Sequence, residues 1–562
     1  MSTCRSCRSA FTVPPQEHAF LTKVSLPDPT LCPTCRRQGR FAWRNERRLY
    51  HRKCDLTGKQ IISVYAPDSP YTVYDQHEWY TDKWDAMQHG RDFDFNQQFF
   101  PQFDALIKAT PKIAVFTSNN VNSDYTNGAQ QDKNCHMIFV SDHDEDCLYS
   151  YGIDSCRSCI ECLNCFKCEL CIECVDCSES YNLAHSEKSH NCRDSFFLSD
   201  CKGCHNCFGC FGLRNKQYCI FNEQHSKEEY TKKLNELNSG NMRTLSAARD
   251  VFLKKAGQQQ IHQYIDGNGN ENVTGDHIVH CRNCVECYDS ADLEDCGYLI
   301  FSFKSKDCYD GHVVVDRCEL TYGTISTINQ YNTQFTFVSF YSKNSQYLDH
   351  CQYCEDCFAC SGLKKKRFCI FNKQYSETDY RKLKEKIVAH MKKTPYQSPH
   401  GSGTGQACEW GQPLPPELSP FGYNETVAQE YFPLTEGEAT KRGWKWREDT
   451  ESQTSAYQGP RLSLPVDIKD VPDDITEKIL TCERTGKPYK IIPQELAFYR
   501  QHHLPLPRVC FDERHLERIQ RRNPRRLWGR KCMKCQKPIE TTYAPERPEI
   551  VYCEECYLKE VY

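Results

Sequence analysis

The chain has no apolar run approaching twenty residues, which removes the ordinary signature of a membrane-spanning helix. Its start, MSTCRSCRSAF, lacks the apolar core of a secretory signal, so the reducing cytosol is the expected compartment and no membrane partner is expected. Strong net charge is missing too: a balance of −4 over 562 residues makes the whole molecule a poor generic binder of polyanions. No Cys-x-x-Cys falls inside a βαβ pattern, and no histidine-based nucleophile arrangement can be picked out. Both absences point away from an enzyme, and a thiol oxidoreductase is the weakest of the functional readings.

Cysteine, by contrast, is abundant, with 39 residues. Eight of them recur at every third position from Cys156 to Cys177 (CRSCIECLNCFKCELCIECVDC). The phase continues through Cys135, Ile138, Ser141, Asp144 and Cys147 before the run, and through Ser180, Leu183, Ser186, Cys192 and Cys201 after it. Three is neither the 3.6 of an amphipathic helix nor the 2 of a half-buried strand. It suits a narrow β-solenoid whose short sides each turn one small residue inward. Residues three apart in an extended chain stand about 9–10 Å from each other, whereas two thiolates on one zinc lie within about 4.6 Å. The run is therefore expected as a reduced, packed lining, with a metal-thiolate store and disulfides as the alternatives. The position after each cysteine is mostly apolar (Ile160, Leu163, Phe166, Ile172, Val175), an outer stripe expected to be covered by another part of the chain or by a second copy.

A second run keeps the phase from Cys281 through Cys284, Cys287, Ser290, Leu293, Cys296, Leu299, Ser305 and Cys308, then slips by one before Cys318, Thr321, Thr324, Thr333 and Cys351. Its ending, CQYCEDCFACSGLKKKRFCIFN, matches CKGCHNCFGCFGLRNKQYCIFN at an offset of 150. Ser226 with Glu229, and Ser376 with Asp379, then predict a capped helix after each run.

The two ends are duplicates at an offset of 478, which carries Cys4, Cys32 and Cys54 onto Cys482, Cys510 and Cys532. Each copy has places for two four-ligand sites, and each has lost a different one. Cys4, Cys7, Cys32 and Cys35 are complete in the first copy, and Cys532, Cys535, Cys553 and Cys556 in the last. Paired Cys-x2-Cys knuckles close a tetrahedral site, so two zinc ions per chain are expected. The counterparts Cys54, Thr57, Asp75, Glu78 and Cys482, Thr485, Cys510, Glu513 are degenerate, and packing is expected in place of an ion. Between the two sites of each copy lie basic segments, 36–53 and 514–531, expected as helices. Arg36, Arg40, Arg44, Arg47 and Arg48, with Arg514, Arg518, Arg522, Arg525 and Arg526, suit phosphate contacts, or else face acidic coils of the same chain.

The first forty residues resemble the probable zinc-ribbon domain family, through the CxxC, Phe11, Glu17 with Phe20, and Cys32 to Arg36; the resemblance implies a zinc site. The chain as a whole is similar to an uncharacterised family of cysteine-rich zinc-ribbon proteins of small-genome bacteria, on RKCDLTGK, WRNERRLY, SPFGYNETVAQEYFPL and YCEECYLKEVY. Members sometimes carry a CaiB/BaiF-like label, but no CoA-transferase pattern is present. Thr57, Asp75 and Glu78 depart from the family, where cysteines are usual.

The expected class is mainly β with helical additions: two narrow solenoid segments lined by Cys, Ser, Thr and Leu, flanked by duplicated zinc-ribbon modules. The expected divisions are an N-terminal module 1–84, a helical connector and cap 85–130, a first solenoid 131–224, a helical insertion 225–262 and a second solenoid 263–375. A helix 376–394, a surface-wrapping linker 395–475 containing the lone Cys408, and a C-terminal module 476–562 complete the chain. The expected role is a zinc-stapled, non-enzymatic scaffold that contacts RNA or a ribonucleoprotein through its basic segments, with a protein partner or self-association over the apolar stripe. A metal or thiol reservoir built on the central cysteines is the alternative.

Overall fold

The computed structural model describes all residues except 239, 295, 298–301, 304–308, 310, 312–313, 316–319, 324, 326, 399–408 and 449–461. The phase expected at Leu299, Ser305, Cys308, Cys318 and Thr324, and the lone Cys408, lie outside the described residues.

Short strands dominate, joined by several helices, and most of the sheets are parallel. Asn127–Gln130, Phe139–Asp142, Tyr151–Asp154 and Leu163–Phe166 pair in that order, with Asn127 opposite Phe139, Phe139 opposite Tyr151 and Tyr151 opposite Leu163. Each step is twelve residues. Isolated parallel bridges such as Leu163 to Val175 and Glu169 to Tyr181 carry the same step into Tyr181–Ala184, Arg193–Phe196, His205–Phe208 and Gln217–Ile220. Twelve residues are four triplets, so every coil of this first stack turns four residues inward. The ladder already begins at Thr117–Ser118, inside the segment expected as a cap.

Backbone conformation makes the coil. Every third residue is left-handed, including Ser155, Ser158, Glu161, Asn164, Lys167 and Leu170, with φ of 49 to 56°. For a residue with a Cβ this conformation costs roughly 1 kcal/mol, and ladder hydrogen bonds offset it. In one triplet Arg157 N–H donates to the Cys168 carbonyl (2.9 Å) and Ser158 N–H to the Glu145 carbonyl (2.9 Å).

The third amide of a triplet points inward, where no backbone carbonyl serves it. Where serine, cysteine or aspartate stands one coil back, its side chain accepts. Cys162 N–H donates to Ser150 Oγ (3.0 Å), Cys192 N–H to Ser180 Oγ (3.1 Å), Leu198 N–H to Ser186 Oγ (3.1 Å) and Cys147 N–H to Cys135 Sγ (3.4 Å). The same heteroatoms donate in turn: Cys165 Sγ–H lies 3.6 Å from the carbonyls of both Leu163 and Cys174. Burial pushes the thiols of Cys159 and Cys165 well above their usual range, which keeps them protonated as donors. From Cys135 to Cys219 no cysteine is more than 3% exposed.

The second stack repeats the pattern in Gly275–Val279 and Cys287–Ala291, and again in Gln334–Phe337, Gln346–Asp349, Glu355–Ser361 and Arg367–Ile370. The expected slip is there. Val314 pairs with Thr327, thirteen residues on rather than twelve. Both stacks close with a short antiparallel return (Glu223–Gln224 and Lys373–Gln374), which covers the open edge. A helix capped by Ser226 (Lys227–Leu237) and one capped by Ser376 (Glu377–Lys393) follow, as the sequence predicts.

The apolar stripe is covered by the chain itself. Ile160 and Ile172 belong to one buried cluster with Tyr230, Leu245 and Phe252 of the helices between the stacks and with Tyr499 and Leu504 near the C-terminus. Leu163 and Val175 pack with Leu49 and Ile519. The terminal duplication holds at the level of elements: helix Pro15–Lys23 and strands Tyr50–Lys53 and Gln60–Ser63 recur as Pro493–Gln501, Trp528–Lys531 and Pro538–Thr541.

One expectation needs correcting: the basic segments are helical only in their first parts, Pro33–Phe41 and Phe511–Gln520, and their ends are the strands Tyr50–Lys53 and Trp528–Lys531. In the first copy the Asn45 side chain accepts from Arg48 N–H (2.9 Å) and folds the chain into a turn. In the last copy Pro524 removes an amide and ends the helix. The segment SPFGYNETVAQEYFPL, expected within a linker, is packed on the first copy: Gln38 Nε2 donates to Tyr423 OH (2.9 Å), Ser419 Oγ to the Ala42 carbonyl (2.7 Å) and Val427 N–H to the Arg44 carbonyl (2.9 Å).

The lining rule is testable at Ser186. Alanine there strands the Leu198 amide and is expected to lower unfolding stability by about 1–3 kcal/mol, whereas Ser186→Cys keeps an acceptor and most of that stability. Urea unfolding of both variants measures the difference, and equal midpoints would refute the rule.

Candidate metal centres

The first four-cysteine group is assembled by a turn and a helix start. Cys4 N–H donates to the Ser9 carbonyl (2.8 Å) and Arg8 N–H to the Cys4 carbonyl (2.9 Å), with Arg8 left-handed at φ 63°, so the chain wraps around Cys4 and Cys7. Cys32 is the residue before helix Pro33–Phe41, and its amide donates to Cys4 Sγ (3.3 Å); Cys35 follows in the first turn. All four sulfurs lie within 4.8 Å of one another, and Cys7 and Cys32 are 3.7 Å apart. A tetrahedron with 2.3 Å metal–sulfur bonds has edges of about 3.8 Å. The geometry fits a metal ion.

The second group repeats the design with Cys532, Cys535, Cys553 and Cys556, again within 4.8 Å, with Cys535 and Cys553 3.6 Å apart and Cys553 preceding helix Glu554–Val561. Burial works against ionisation of Cys532, but the amides of Cys535 and Cys553 aimed at its sulfur bring the thiol down to about 6. In the first group the hydrogen bond from Cys35 brings Cys32 to about 5. A thiolate is the form a metal needs.

The degenerate sites have spent their carboxylates elsewhere. Asp75 accepts the His77 amide (2.9 Å) at a helix start, and Glu78 pairs with Lys83 (2.6 Å). Glu513 pairs with Arg484 (3.2 Å), which also reaches Glu517. Among the described residues no group of clustered ligands forms at either place.

Of the arginines singled out for nucleic acid, most are inside the molecule. Arg36 is buried on Glu17 (2.6 Å), and Arg40 is buried as well. Arg44 meets Glu46 (2.5 Å), and Arg47 meets Glu430 (3.0 Å) and Asp512 (3.1 Å). In the last copy Arg514 and Arg518 both grip Glu161 of the first stack, Arg518 at 2.9 Å, and all three side chains are buried. Arg522 joins Asp176 (2.9 Å) to Asp289, Arg525 adds to Asp289 (2.8 Å), and neither side chain is more than 8% exposed. A guanidinium committed in this way cannot also meet a phosphate, which corrects the expectation for these residues. Arg48 and Arg526 keep exposed surface. The acidic coils of the same chain take Arg514, Arg518, Arg522 and Arg525, whereas Arg36, Arg44 and Arg47 pair with carboxylates outside the stacks.

One cluster escaped the sequence reading. Asp176, His277 and Asp289 bring ligand atoms within 4.8 Å of one another where the two stacks face each other. The twelve-residue step stacks His277 on Asp289, but nothing local in the sequence joins that pair to Asp176.

No family model matches the chain, and no curated protein matches it. Among the described residues no helix is long and apolar enough to cross a membrane.

The Glu161 contact gives a second test. Glu161→Gln leaves buried Arg518 without its carboxylate and Arg514 with Glu495 alone (3.1 Å), and is expected to destabilise the protein by about 3–5 kcal/mol. Urea unfolding checks it; a loss under about 1 kcal/mol, the size of an exposed pair, would mean that Arg514 and Arg518 do not hold the C-terminal segment to the stack.

Proposed function

We propose that this protein is a non-enzymatic, zinc-stapled scaffold: two four-sided β-solenoids, with a ribbon-type zinc module at each end of the chain locked onto the first solenoid and onto the other module. The observation that carries this reading is the burial of the terminal arginines. Arg514 and Arg518 sit on Glu161 of the first stack, Arg47 reaches Asp512 of the opposite copy, and Arg37 Nη1 donates to the Arg525 carbonyl (2.6 Å). The intervening segment joins in through Glu430, which burial would raise but His515 and Arg47 hold down at about 2. Such internal commitment of charge suits a rigid body that presents surfaces rather than turning over a substrate.

Zinc is the proposed ion at both four-cysteine groups. Four soft thiolates at tetrahedral spacing are its usual structural site, and the same pattern supports kinship with cysteine-rich zinc-ribbon proteins. None of the 36 described cysteines is in a disulfide, and a reducing compartment is part of the proposal. A macromolecular partner belongs to the scaffold reading, but the ten arginines do not support RNA as that partner. The metal-thiolate reservoir is disfavoured because the central sulfurs are buried and already hydrogen-bonded.

Elemental analysis of the purified protein decides between scaffold and reservoir. Two zinc ions per chain are expected, falling to one in Cys4→Ser and to one in Cys556→Ser. A load of many ions, or one insensitive to these substitutions, would overturn the proposal.

A further inference from the structure

The two stacks do not close tightly on each other along their seam. Two clefts remain, and Phe166 lines both. One, with about 220 Å3 of open space, has hydrocarbon walls from Val115, Val140, Phe337 and Phe340. The other, about 470 Å3, is the more polar of the two and is bordered by Asn164, Asp176 and Lys188 of the first stack and by Asp266, His277 and Asp289 of the second.

Around Asn164 and His277 the charges are already matched. Lys188 faces Asp266 (3.4 Å), Arg522 and Arg525 neutralise Asp176 and Asp289, and the His277 ring lies between Asp266 (3.5 Å) and Asp176 (3.8 Å). An added cation would have to displace Arg522 from two carboxylates, and an added anion would meet acids on both walls, so an ion of either sign is opposed here. What the cleft lacks is hydrogen-bond partners. Asn164 is 6% exposed and its Oδ1 has none, and His277 Nε2 has no hydrogen bond either, with Asp176 Oδ2 3.8 Å away. Each such atom left unmet costs about 1–3 kcal/mol. Hydroxyl groups can donate to the amide oxygen and either donate to or accept from the imidazole nitrogen without adding charge.

We propose that this seam binds a small uncharged amphiphile, with a hydroxyl-rich head in the polar cleft at Asn164 and His277 and a short hydrocarbon tail past Phe166 between Val140 and Phe340. The larger cleft alone, at about 470 Å3, falls in the range of about 300–1,000 Å3 typical of small-molecule sites. The site stands whether or not the chain ends hold zinc.

Octyl β-D-glucoside, kept below its micelle concentration, is the probe, titrated into the full chain by calorimetry. Saturable one-to-one binding is expected, weakened at least about tenfold, or 1.4 kcal/mol, by Asn164→Leu and separately by Val140→Trp. Glucose alone and octanol alone should each bind at least tenfold more weakly. Both positions are left-handed corners at which Leu170 and Phe197 already sit, so the substituted side chains suit the backbone, and melting curves verify folding. If Asn164→Leu fails to fold, His277→Phe tests the same cleft from the opposite wall. Absence of saturable binding, octanol binding as tightly as the glucoside, or binding unchanged by the head-cleft variants would overturn the proposal.

Discussion

The inward amide of each triplet is the constraint on which the architecture rests. A chain that bends at every third residue turns one N–H per side toward the axis of the coil, beyond the reach of any ladder carbonyl. An unmet buried amide is expensive. A side chain of one carbon and one heteroatom, stacked a single coil away, can accept from it while donating to a carbonyl of its own, as Ser150, Ser180, Ser186 and Cys135 do. Cysteine and serine are therefore the natural lining. Cysteine has the further merit of filling the narrow interior as a small hydrophobe. The abundance of sulfur is in this account an answer to backbone geometry, and redox or metal chemistry in the middle of the molecule is not needed to explain it.

A four-sided coil of this kind exposes long polar columns on its outer faces, and the remainder of the chain is arranged to use them. Glu161 stands at a corner of the first stack and receives two arginines from a segment more than three hundred residues away. A buried ion pair adds little net stability compared with an apolar contact of the same shape. Its value here is positional: two guanidinium groups on one carboxylate leave little freedom in where the last copy docks. With Arg47 spanning to Asp512 and Glu430, both ends of the chain and the intervening segment are tied to one another.

How far all this could be read beforehand follows from the range of each interaction. The triplet lining was plain, because small residues recur in phase over seventy positions, and so was the slip, which the structure places as the thirteen-residue step from Val314 to Thr327. The two four-cysteine groups were equally open, since a knuckle is a local object. The number of sides per coil was not. It depends on left-handed corners occupied by residues as different as Ser158, Glu161, Lys167 and Leu170, whose identities give no hint of their conformation. The arginines misled for a related reason: a run of basic residues advertises charge, while its partners Glu161, Asp176, Glu187 and Asp289 lie far off in the chain and meet it only after folding. Recurrence at twelve, visible in Lys133, Glu145 and Arg157, was the available clue to both.

Alkylation of the metal-stripped, folded protein, counted cysteine by cysteine by mass spectrometry, tests the inward lining most directly. The account predicts rapid labelling of Cys7 and Cys535, the exposed members of the two four-cysteine groups, and none of the cysteines from Cys135 to Cys219 until the chain unfolds. Labelling of those central thiols in the folded state, at rates like those of the terminal ones, would contradict it.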